Sequence, residues 1–296
     1  NNCTLLVNLP TSCGKSLLTQ LQALSAPTNT LTLVIVPTVA LAIEQADDMQ
    51  KLLRGADQDH GGSYVWIGGQ DQPSRQAIKE RIKAGTQRVL FCSPESVRSS
   101  LVPLLFELSR LNMIGAIVID EAHLIDQWGA EFRPDFQLIA PMIRSLKAMG
   151  KCRFRTLLLS ATYSKSTRDI LVEQFHDELI EVSANFLRPE PEYFVHHEAN
   201  ENAHRQRVEQ LLMTLPRPLI LYCTTRTDAE MWSARLNELG YWRIGIFHGQ
   251  IDTNNRKKLI SKWKNDQLDI MVATSAFGVG MNKKEIRSII HAAIPE

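Results

Sequence analysis

Short runs of apolar residues recur along the first half of the chain, and each is followed by a loop and a longer amphipathic stretch. The runs are rich in Leu, Ile and Val without polar alternation, which is typical of strands buried on both faces of a parallel sheet. They cover residues 4–7, 31–36, 88–92, 114–119 and 156–159. Helical periodicity between them, as in 38–53 and 73–84, predicts βαβ units and a doubly wound α/β sheet.

This pattern stops in a polar, Pro-bearing stretch and then starts again. Further apolar runs follow at 219–223, 243–247, 269–273 and 287–291, separated by helical stretches such as 228–239 and 255–264. We therefore predict two tandem α/β domains with mainly parallel sheets flanked by helices. The predicted boundaries are 1–185 for the first domain, 186–205 for a linker and 206–296 for the second domain.

The composition adds limits to this picture. The 296 residues carry 33 Lys and Arg against 32 Asp and Glu, so the formal net charge is +1. Hydrophobic residues at 44% and charged residues at 22% are typical of globular domains and exclude a disordered or collagen-like chain. Because the charge is balanced, no overall positive field indicates a nucleic-acid-binding protein, and such a function has to rest on local residues.

The five cysteines are scattered, without a C-x-x-C pair or a Cys/His cluster of zinc-ligand spacing. This distribution fits a reducing compartment, and no apolar run approaches the roughly 20 residues of a membrane-spanning helix. The chain begins Asn1-Asn2-Cys3, without Met and without a signal peptide's apolar run. We therefore expect a cytoplasmic protein without a membrane partner, and a fragment of a longer one.

A phosphate-binding loop is the first candidate site. The residues between the first predicted strand and the helical run 17–24 end in Gly-Lys-Ser, as a P-loop does. There, backbone N–H groups wrap phosphates, the lysine reaches the β- and γ-phosphates, and the hydroxyl holds Mg²⁺. A complete motif has glycine at position 9, where this chain has Leu9, so an ordinary strand-to-helix turn stays the alternative. The candidate nucleotide-binding residues are Thr11, Ser12, Cys13, Gly14, Lys15 and Ser16, of which Ser16 is also a candidate metal ligand.

Two adjacent carboxylates form the second candidate site. The apolar run 114–119 leads directly into Asp120 and Glu121. Asp120 would hold Mg²⁺ through water, and Glu121 would orient and deprotonate an attacking water. The separation of 105 positions (120 − 15) from Lys15 to Asp120 leaves room for βα units of the same sheet. Together the two sites predict ATP hydrolysis, with Lys15, Asp120 and Glu121 as catalytic residues and ATP and Mg²⁺ as ligands.

The sequence Asp120-Glu121-Ala122-His123 resembles motif II of the DEAH-type superfamily 2 helicases, and the residues after it resemble the aromatic-rich loop of the RecQ subgroup. Further matches follow the family's order over essentially the whole chain. They are 9–16 for motif I, 36–45 for motif Ia, 93–95 for motif Ib, 160–162 for motif III, 222–226 for motif IV, 247–249 for the next motif and 273–283 for motif V.

The resemblance implies two RecA-like lobes that bind ATP between them and move along single-stranded DNA in the 3′→5′ direction. The expected activity is therefore that of an ATP-dependent DNA helicase or translocase. Gly280 of motif V is assigned to the nucleotide. The residues expected to couple hydrolysis to lobe movement are His123, Gln127, Ser160 and Thr162.

The aromatic-rich loop is a candidate contact for nucleic acid. It places Trp128, Phe132, Arg133 and Phe136 among polar residues, Gly and Pro. Aromatic faces and a guanidinium can stack on the bases of single-stranded nucleic acid, so we expect Trp128, Phe132 and Arg133 to contact it. The alternative is that Phe132 and Phe136 attach the loop to the core.

The resemblance implies more nucleic-acid contacts at the ends of the strands, at Thr38, Ser93, Thr225, Arg226, His248 and Thr274. Hydroxyls at such positions are equally typical of helix caps, and the Ser-Ala-Thr of motif III could also be an N-cap. The basic residues of 256–264 are interpreted first as a solvated helix face rather than as a nucleic-acid patch.

The chain departs from the RecQ pattern at Ser12-Cys13, since neither residue takes positive φ as easily as the glycine of the family. Motif VI with its arginine finger is expected after Glu296. Because an arginine finger contributes about 10³–10⁵ in rate, we expect residues 1–296 alone to hydrolyse ATP poorly. Two other functions stay open: a non-unwinding nucleic-acid translocase of a phage-defence or DNA-modification system, and a nucleic-acid-binding scaffold with an inactive nucleotide site.

Overall fold

A computed structural model describes residues 3–11, 13–125, 134–149, 153–175, 179–184, 186, 189–277, 283 and 285–293. The chain divides into two compact units, Asn1–Pro191 and Glu192–Glu296. This division falls within the stretch predicted as a linker. The last residues of that stretch are helical, because a helix begins at Glu201 with Asn200 as its N-cap.

The described strands of the first unit are β1 (Thr4–Asn8), β2 (Leu31–Ile35), β3 (Val65–Trp66), β4 (Val89–Cys92), β5 (Ile114–Ile119), β6 (Arg155–Ser160) and β7 (Leu179–Ser183). They form one parallel sheet in the order β3-β4-β2-β5-β6-β1-β7. Every strand predicted from an apolar run is confirmed. No apolar run predicts β3, which has two residues, or β7, whose side chains are largely exposed.

The described helices of this unit are α1 (Lys15–Ser25), α2 (Val39–Gly55), α3 (Gln72–Lys83), α4 (Pro94–Ser96), α5 (Val102–Arg110), α6 (Pro134–Gln137), α7 (Ile139–Met149) and α8 (Lys165–Gln174). A π-helical segment, Val97–Leu101, joins α4 to α5, and a 3₁₀ turn, Ala122–Ile125, follows β5. Among the described residues of the whole chain, no helix combines the length and apolar character needed to cross a membrane.

Burial on both faces explains the unbroken apolar runs. Along β2, Leu33 and Ile35 belong to one apolar cluster, whereas Val34 belongs to another. Successive side chains of a strand point to opposite faces of the sheet, so each face of β2 packs against its own layer. A strand with two buried faces has no position for alternating polar residues.

The described part of the second unit has the strands β8 (Leu219–Tyr222), β9 (Ile244–Phe247), β10 (Ile270–Ala273) and β11 (Ser288–His291), with the helices α9 (Glu201–Thr214), α10 (Arg226–Glu238) and α11 (Thr253–Lys264). The strands are parallel in the order β11-β8-β10-β9. Trp232 of α10 and Trp263 of α11 anchor two separate apolar clusters. The predicted fold class, α/β with two mainly parallel sheets flanked by helices, is confirmed.

Candidate active site

The predicted chemistry of the first unit collects at the carboxyl edge of its sheet. Lys15 follows β1, Asp120 and Glu121 follow β5, and Ser160 ends β6. Because β6 lies between β5 and β1 in a parallel sheet, all three strands end at the same edge. Open α/β sheets bind ligands outside the carboxyl ends of their strands.

Glycine is required where the phosphate-loop candidate enters α1. Gly14 has φ +94°, a conformation that L side chains rarely adopt. A Cβ there would meet no atom within 4 Å, so the loop is open beside Gly14. Cys13 is not among the described residues with positive φ, and the glycine of the family is therefore not needed at that position for backbone reasons.

The start of α1 is suited to an anion. Gly14 is the N-cap residue and supplies no side-chain hydrogen bond to the first turn. Backbone N–H groups at a helix N-terminus carry partial positive charge and attract phosphates. The Lys15 Nζ lies within the loop and donates to the carbonyl oxygens of Leu9 at 3.0 Å and Pro10 at 3.4 Å. Thr11, Cys13 and Ser16 are exposed beside it.

Both carboxylate oxygens of Asp120 accept a hydrogen bond. The backbone N–H of Glu121 donates to Oδ1 at 3.1 Å, and the Gln45 Nε2 donates to Oδ2 at 2.9 Å. The backbone N–H of Asp120 also donates to the Ile35 carbonyl oxygen at 2.9 Å, which extends the ladder between β2 and β5. Gln45 was not among the predicted site residues. The only signal for it was its place within motif Ia, since half-buried glutamines on helices are otherwise common.

Glu121 combines an unusual backbone with a perturbed side chain. Its φ is +52°, in the left-handed region that costs energy for a non-glycine residue and that recurs at active sites. Burial raises the pKa of its carboxyl above the ordinary value, and the neighbouring Asp120 raises the pKa further, while Lys15 opposes this. A carboxylate with a raised pKa is a better proton acceptor near neutral pH.

His123 joins the acidic turn to the end of β6. Its Nδ1 lies 2.9 Å from the Ser160 Oγ and 3.5 Å from the Glu121 Oε2. The Ser160 hydroxyl donates its one hydrogen to the Thr162 carbonyl oxygen at 2.7 Å, so Nδ1 must carry the proton in its bond to Ser160. Burial lowers the pKa of His123, which favours the neutral form of the ring.

The helix-cap alternative for the Ser-Ala-Thr of motif III is wrong. Ser164 is the N-cap of α8, where its Oγ accepts the Thr167 N–H at 3.0 Å. Ser160 instead ends β6 with its side chain fully buried. Its hydroxyl is thus available to His123 rather than to a helix.

These side chains fit a nucleotide with Mg²⁺. Carboxylate and hydroxyl oxygens are the ligands that Mg²⁺ prefers in proteins, together with water and phosphate oxygens. Asp120 and Ser16 supply one of each next to the open loop and the uncapped start of α1. The arrangement can bind phosphates and offer a base for an attacking water.

Three of the residues predicted to contact nucleic acid are helix N-caps. Thr38, Ser93 and Thr225 are the N-caps of α2, α4 and α10, and Ser93 is 2% exposed. Contact with nucleic acid stays a prediction for these three residues, with helix capping as their observed role.

In the second unit, Arg226 and His248 come together around one carboxylate. The Arg226 Nε lies 3.3 Å and the His248 Nε2 3.9 Å from the Glu230 Oε1, and Arg226 also donates to Gln250. Thr274 is buried just after β10. Contact of Arg226, His248 and Thr274 with nucleic acid stays a prediction.

Several predicted site residues lie outside the described residues: Ser12, Gln127, Trp128, Phe132, Arg133 and Gly280. Phe136 is fully buried in the core of the first unit, which agrees with the alternative that this residue attaches the loop to the core. On α11, Lys258, Lys262 and Lys264 are exposed and Trp263 is buried, which agrees with a solvated helix face.

Comparisons with known proteins identify both units. Residues 1–170 match the family model of the DEAD/DEAH box helicases, and residues 203–296 match that of the helicase conserved C-terminal domain. Among solved structures, the DUF1998 helicase MrfA bound to DNA is similar at a TM-score of 0.73 and 17% identity, over 99% of this chain and 40% of that chain. S. cerevisiae Dbp5 bound to RNA and ADP BeF3 is similar at a TM-score of 0.66 and 17% identity, over 99% of this chain and 71% of that chain. At these identities the likeness shows the fold.

Relatives in sequence are RecQ helicases. The ATP-dependent DNA helicase RecQ of Synechocystis is 30% identical over 98% of this chain and 59% of its own length, and RecQ of Bacillus subtilis is 30% identical over 97% and 46%. The helicase Q-like 4B of Arabidopsis thaliana is 29% identical over 100% of this chain and 25% of its own length. The chain thus spans between 25% and 59% of the length of these relatives. It is a RecQ-like member of the DEAD/DEAH box helicase family.

Proposed function

We propose that the chain is the motor core of an ATP-dependent DNA helicase or translocase of RecQ type, which couples Mg-ATP hydrolysis to 3′→5′ movement along single-stranded DNA. The observation that carries the proposal is the hydrogen-bonded series Gln45–Asp120–Glu121 and His123–Ser160–Thr162 beside the open phosphate loop. A scaffold with an inactive nucleotide site has no need for this arrangement. The RecQ relatives favour DNA as the track.

In the proposed reaction, the loop at Gly14 and the start of α1 bind the phosphates, and Lys15 leaves the Leu9 carbonyl to reach them. Mg²⁺, when bound, would neutralise phosphate charge and would be held by Ser16 and Asp120. Glu121 orients a water against the γ-phosphorus and accepts its proton, while ADP leaves with the electrons of the broken P–O bond. The raised pKa of Glu121 suits it for this proton transfer.

The coupling pathway runs through His123. A shift of Glu121 changes the environment of the His123 Nδ1, and His123 passes the change to Ser160 and the loop at Thr162. Gln127, Gly280 and the aromatic-rich loop at Trp128, Phe132 and Arg133 are proposed parts of the same machinery. Residues 1–185 and 206–296 would be the two lobes that the coupling moves.

The test is ATP turnover by the full-length protein with and without single-stranded DNA. We expect DNA to stimulate turnover, and Glu121→Gln to reduce it by about 10²-fold or more while ATP binding persists, since a general base contributes about 10²–10⁴. Glu80→Gln, on the exposed face of α3, is the matched control and should leave turnover unchanged. Unchanged turnover in Glu121→Gln would overturn its assignment as the base.

Strand displacement on duplexes with a 3′ or a 5′ tail tests the rest of the proposal. Unwinding from the 3′ tail alone supports a 3′→5′ helicase. DNA-stimulated turnover without any displacement favours the non-unwinding translocase instead, and displacement from the 5′ tail contradicts the proposed direction.

A further inference from the structure

Gln45 reaches the acidic turn from a neighbouring βα unit. It lies in the second turn of α2, which is capped by Thr38 after β2. β2 pairs directly with β5, so α2 begins beside the point where β5 ends. The half-buried Gln45 side chain spans this gap and places its amide 2.9 Å from the Asp120 Oδ2.

The direction of this hydrogen bond follows from chemistry. An ionised carboxylate can only accept, so the amide must present its nitrogen to Asp120. With the Glu121 N–H on Oδ1 and the Gln45 amide on Oδ2, both ends of the carboxylate are held and its plane cannot turn freely. Each oxygen has a second lone-pair direction, along which it can accept from metal-bound water.

A glutamine suits this place because it donates without adding charge. A lysine or arginine at the same distance would hold the carboxylate equally well but would repel a divalent cation. A carboxylate in place of the amide would repel Asp120. The amide therefore orients the carboxylate and leaves its full negative charge for a cation.

We infer that Gln45 is a positioning residue, which orients Asp120 for the Mg²⁺ that accompanies the nucleotide. This inference rests on the proposed function for the metal itself, and it adds a residue that acts through Asp120 rather than on the substrate. Residues that hydrogen-bond to metal ligands typically contribute 10–100-fold to metal affinity.

The experiment compares Gln45→Met with Gln50→Met in the full-length protein. Methionine keeps the length and the helix propensity of glutamine but has no N–H donor. Gln50 is the matched control because it also lies on α2, and its amide contacts a different carboxylate, the Asp59 Oδ2, at 3.4 Å. The readout is the Mg²⁺ concentration that half-maximally enhances binding of a fluorescent ATP analogue, which requires no turnover.

We expect Gln45→Met to raise that Mg²⁺ concentration about tenfold or more, with unchanged affinity for the analogue in EDTA. Gln50→Met should match the wild type in both measurements. A wild-type Mg²⁺ response in Gln45→Met overturns the inference and leaves the proposed function intact. Loss of analogue binding in EDTA also overturns it, because the role is then structural. If the wild type itself shows no Mg²⁺-dependent binding, the proposed function fails.

Discussion

The His123 Nδ1 donates to the Ser160 Oγ at 2.9 Å, and this bond joins the acidic turn after β5 to the last residue of β6. The Ser160 hydrogen is committed to the Thr162 carbonyl oxygen, so the polarity of the pair is set. A single hydroxyl thus connects the group beside the proposed base with the loop that follows β6.

Ser160→Ala should lower DNA-stimulated ATP turnover about tenfold or more without changing nucleotide affinity. The substitution removes the acceptor that holds the His123 N–H beside Glu121. Loss of about 1.4 kcal/mol of transition-state stabilisation through the misplaced ring corresponds to a tenfold rate change. Steady-state kinetics and nucleotide titration measure the two effects.

The control for Ser160→Ala is Ser164→Ala, four residues further on. Ser164 caps α8, so its loss should reduce the free energy of unfolding by about 1 kcal/mol with turnover unchanged. Equal turnover in the two variants would show that the His123–Ser160 bond does not affect catalysis.

The pH dependence of kcat/KM should report the raised pKa of Glu121, because kcat/KM reflects the groups of the free enzyme. The carboxyl must be ionised to accept a proton, and burial together with Asp120 raises its pKa. On acidification, kcat/KM should therefore begin to fall at a pH above the ordinary pKa of Glu, which is about 4.3. Nucleotide binding at each pH shows that the protein is still folded. A rate that holds constant down to the ordinary value would contradict the shift.

Asp59→Asn should destabilise the first unit in a pH-dependent way. The Asp59 carboxylate accepts from the Arg54 Nε at 2.8 Å, the Tyr64 hydroxyl at 2.8 Å and the Gly61 N–H at 2.9 Å, and Arg54 and Tyr64 lower its pKa to about 2. At pH 7 we expect the free energy of unfolding to fall by about 1–3 kcal/mol.

Because the pKa of Asp59 is lowered in the folded protein, its carboxylate stabilises the folded state at pH values above its pKa in the unfolded chain, about 3.9. The difference between wild type and Asp59→Asn should therefore shrink as the pH falls from about 4 towards about 2, which urea denaturation at several pH values measures. Asp48→Asn is the control, because its ion pair with Lys51 is exposed and contributes about 0–1 kcal/mol. A difference that does not vary with pH would rule out the ionised carboxylate as its source.

Trp263→Ala should destabilise the second unit by about 3–5 kcal/mol, the usual cost of removing a large buried aromatic side chain. Trp263 is 1% exposed and packs edge-on against Phe277. Trp242→Ala is the matched control, since Trp242 is 82% exposed and its loss should change stability by no more than about 0.5 kcal/mol. Urea denaturation of both variants measures the two free energies of unfolding. Equal losses in the two variants would contradict the packing of Trp263.

Local patterns were enough to predict much of the fold. The run 114–119 predicts a strand and β5 has the same bounds, because a short, unbroken apolar run is typical of a strand covered on both faces. By contrast, β3 and β7 left no such pattern. β3 has too few residues, and the exposed side chains of β7 carry no apolar run.

The sequence by itself determined the buried apolar strands, the amphipathic helices between them and the chemistry at their ends, since periodicity and motifs depend on residues close together in the chain. Only the tertiary structure decided which distant groups meet. Gln45 bonds Asp120, and His123 bonds Ser160, because strand order places β2 and β6 on either side of β5. Likewise, the cap of α8 is Ser164 rather than the Ser-Ala-Thr, because β6 continues to Ser160. Strand order and register arise from packing of the whole sheet, and no local pattern encodes them.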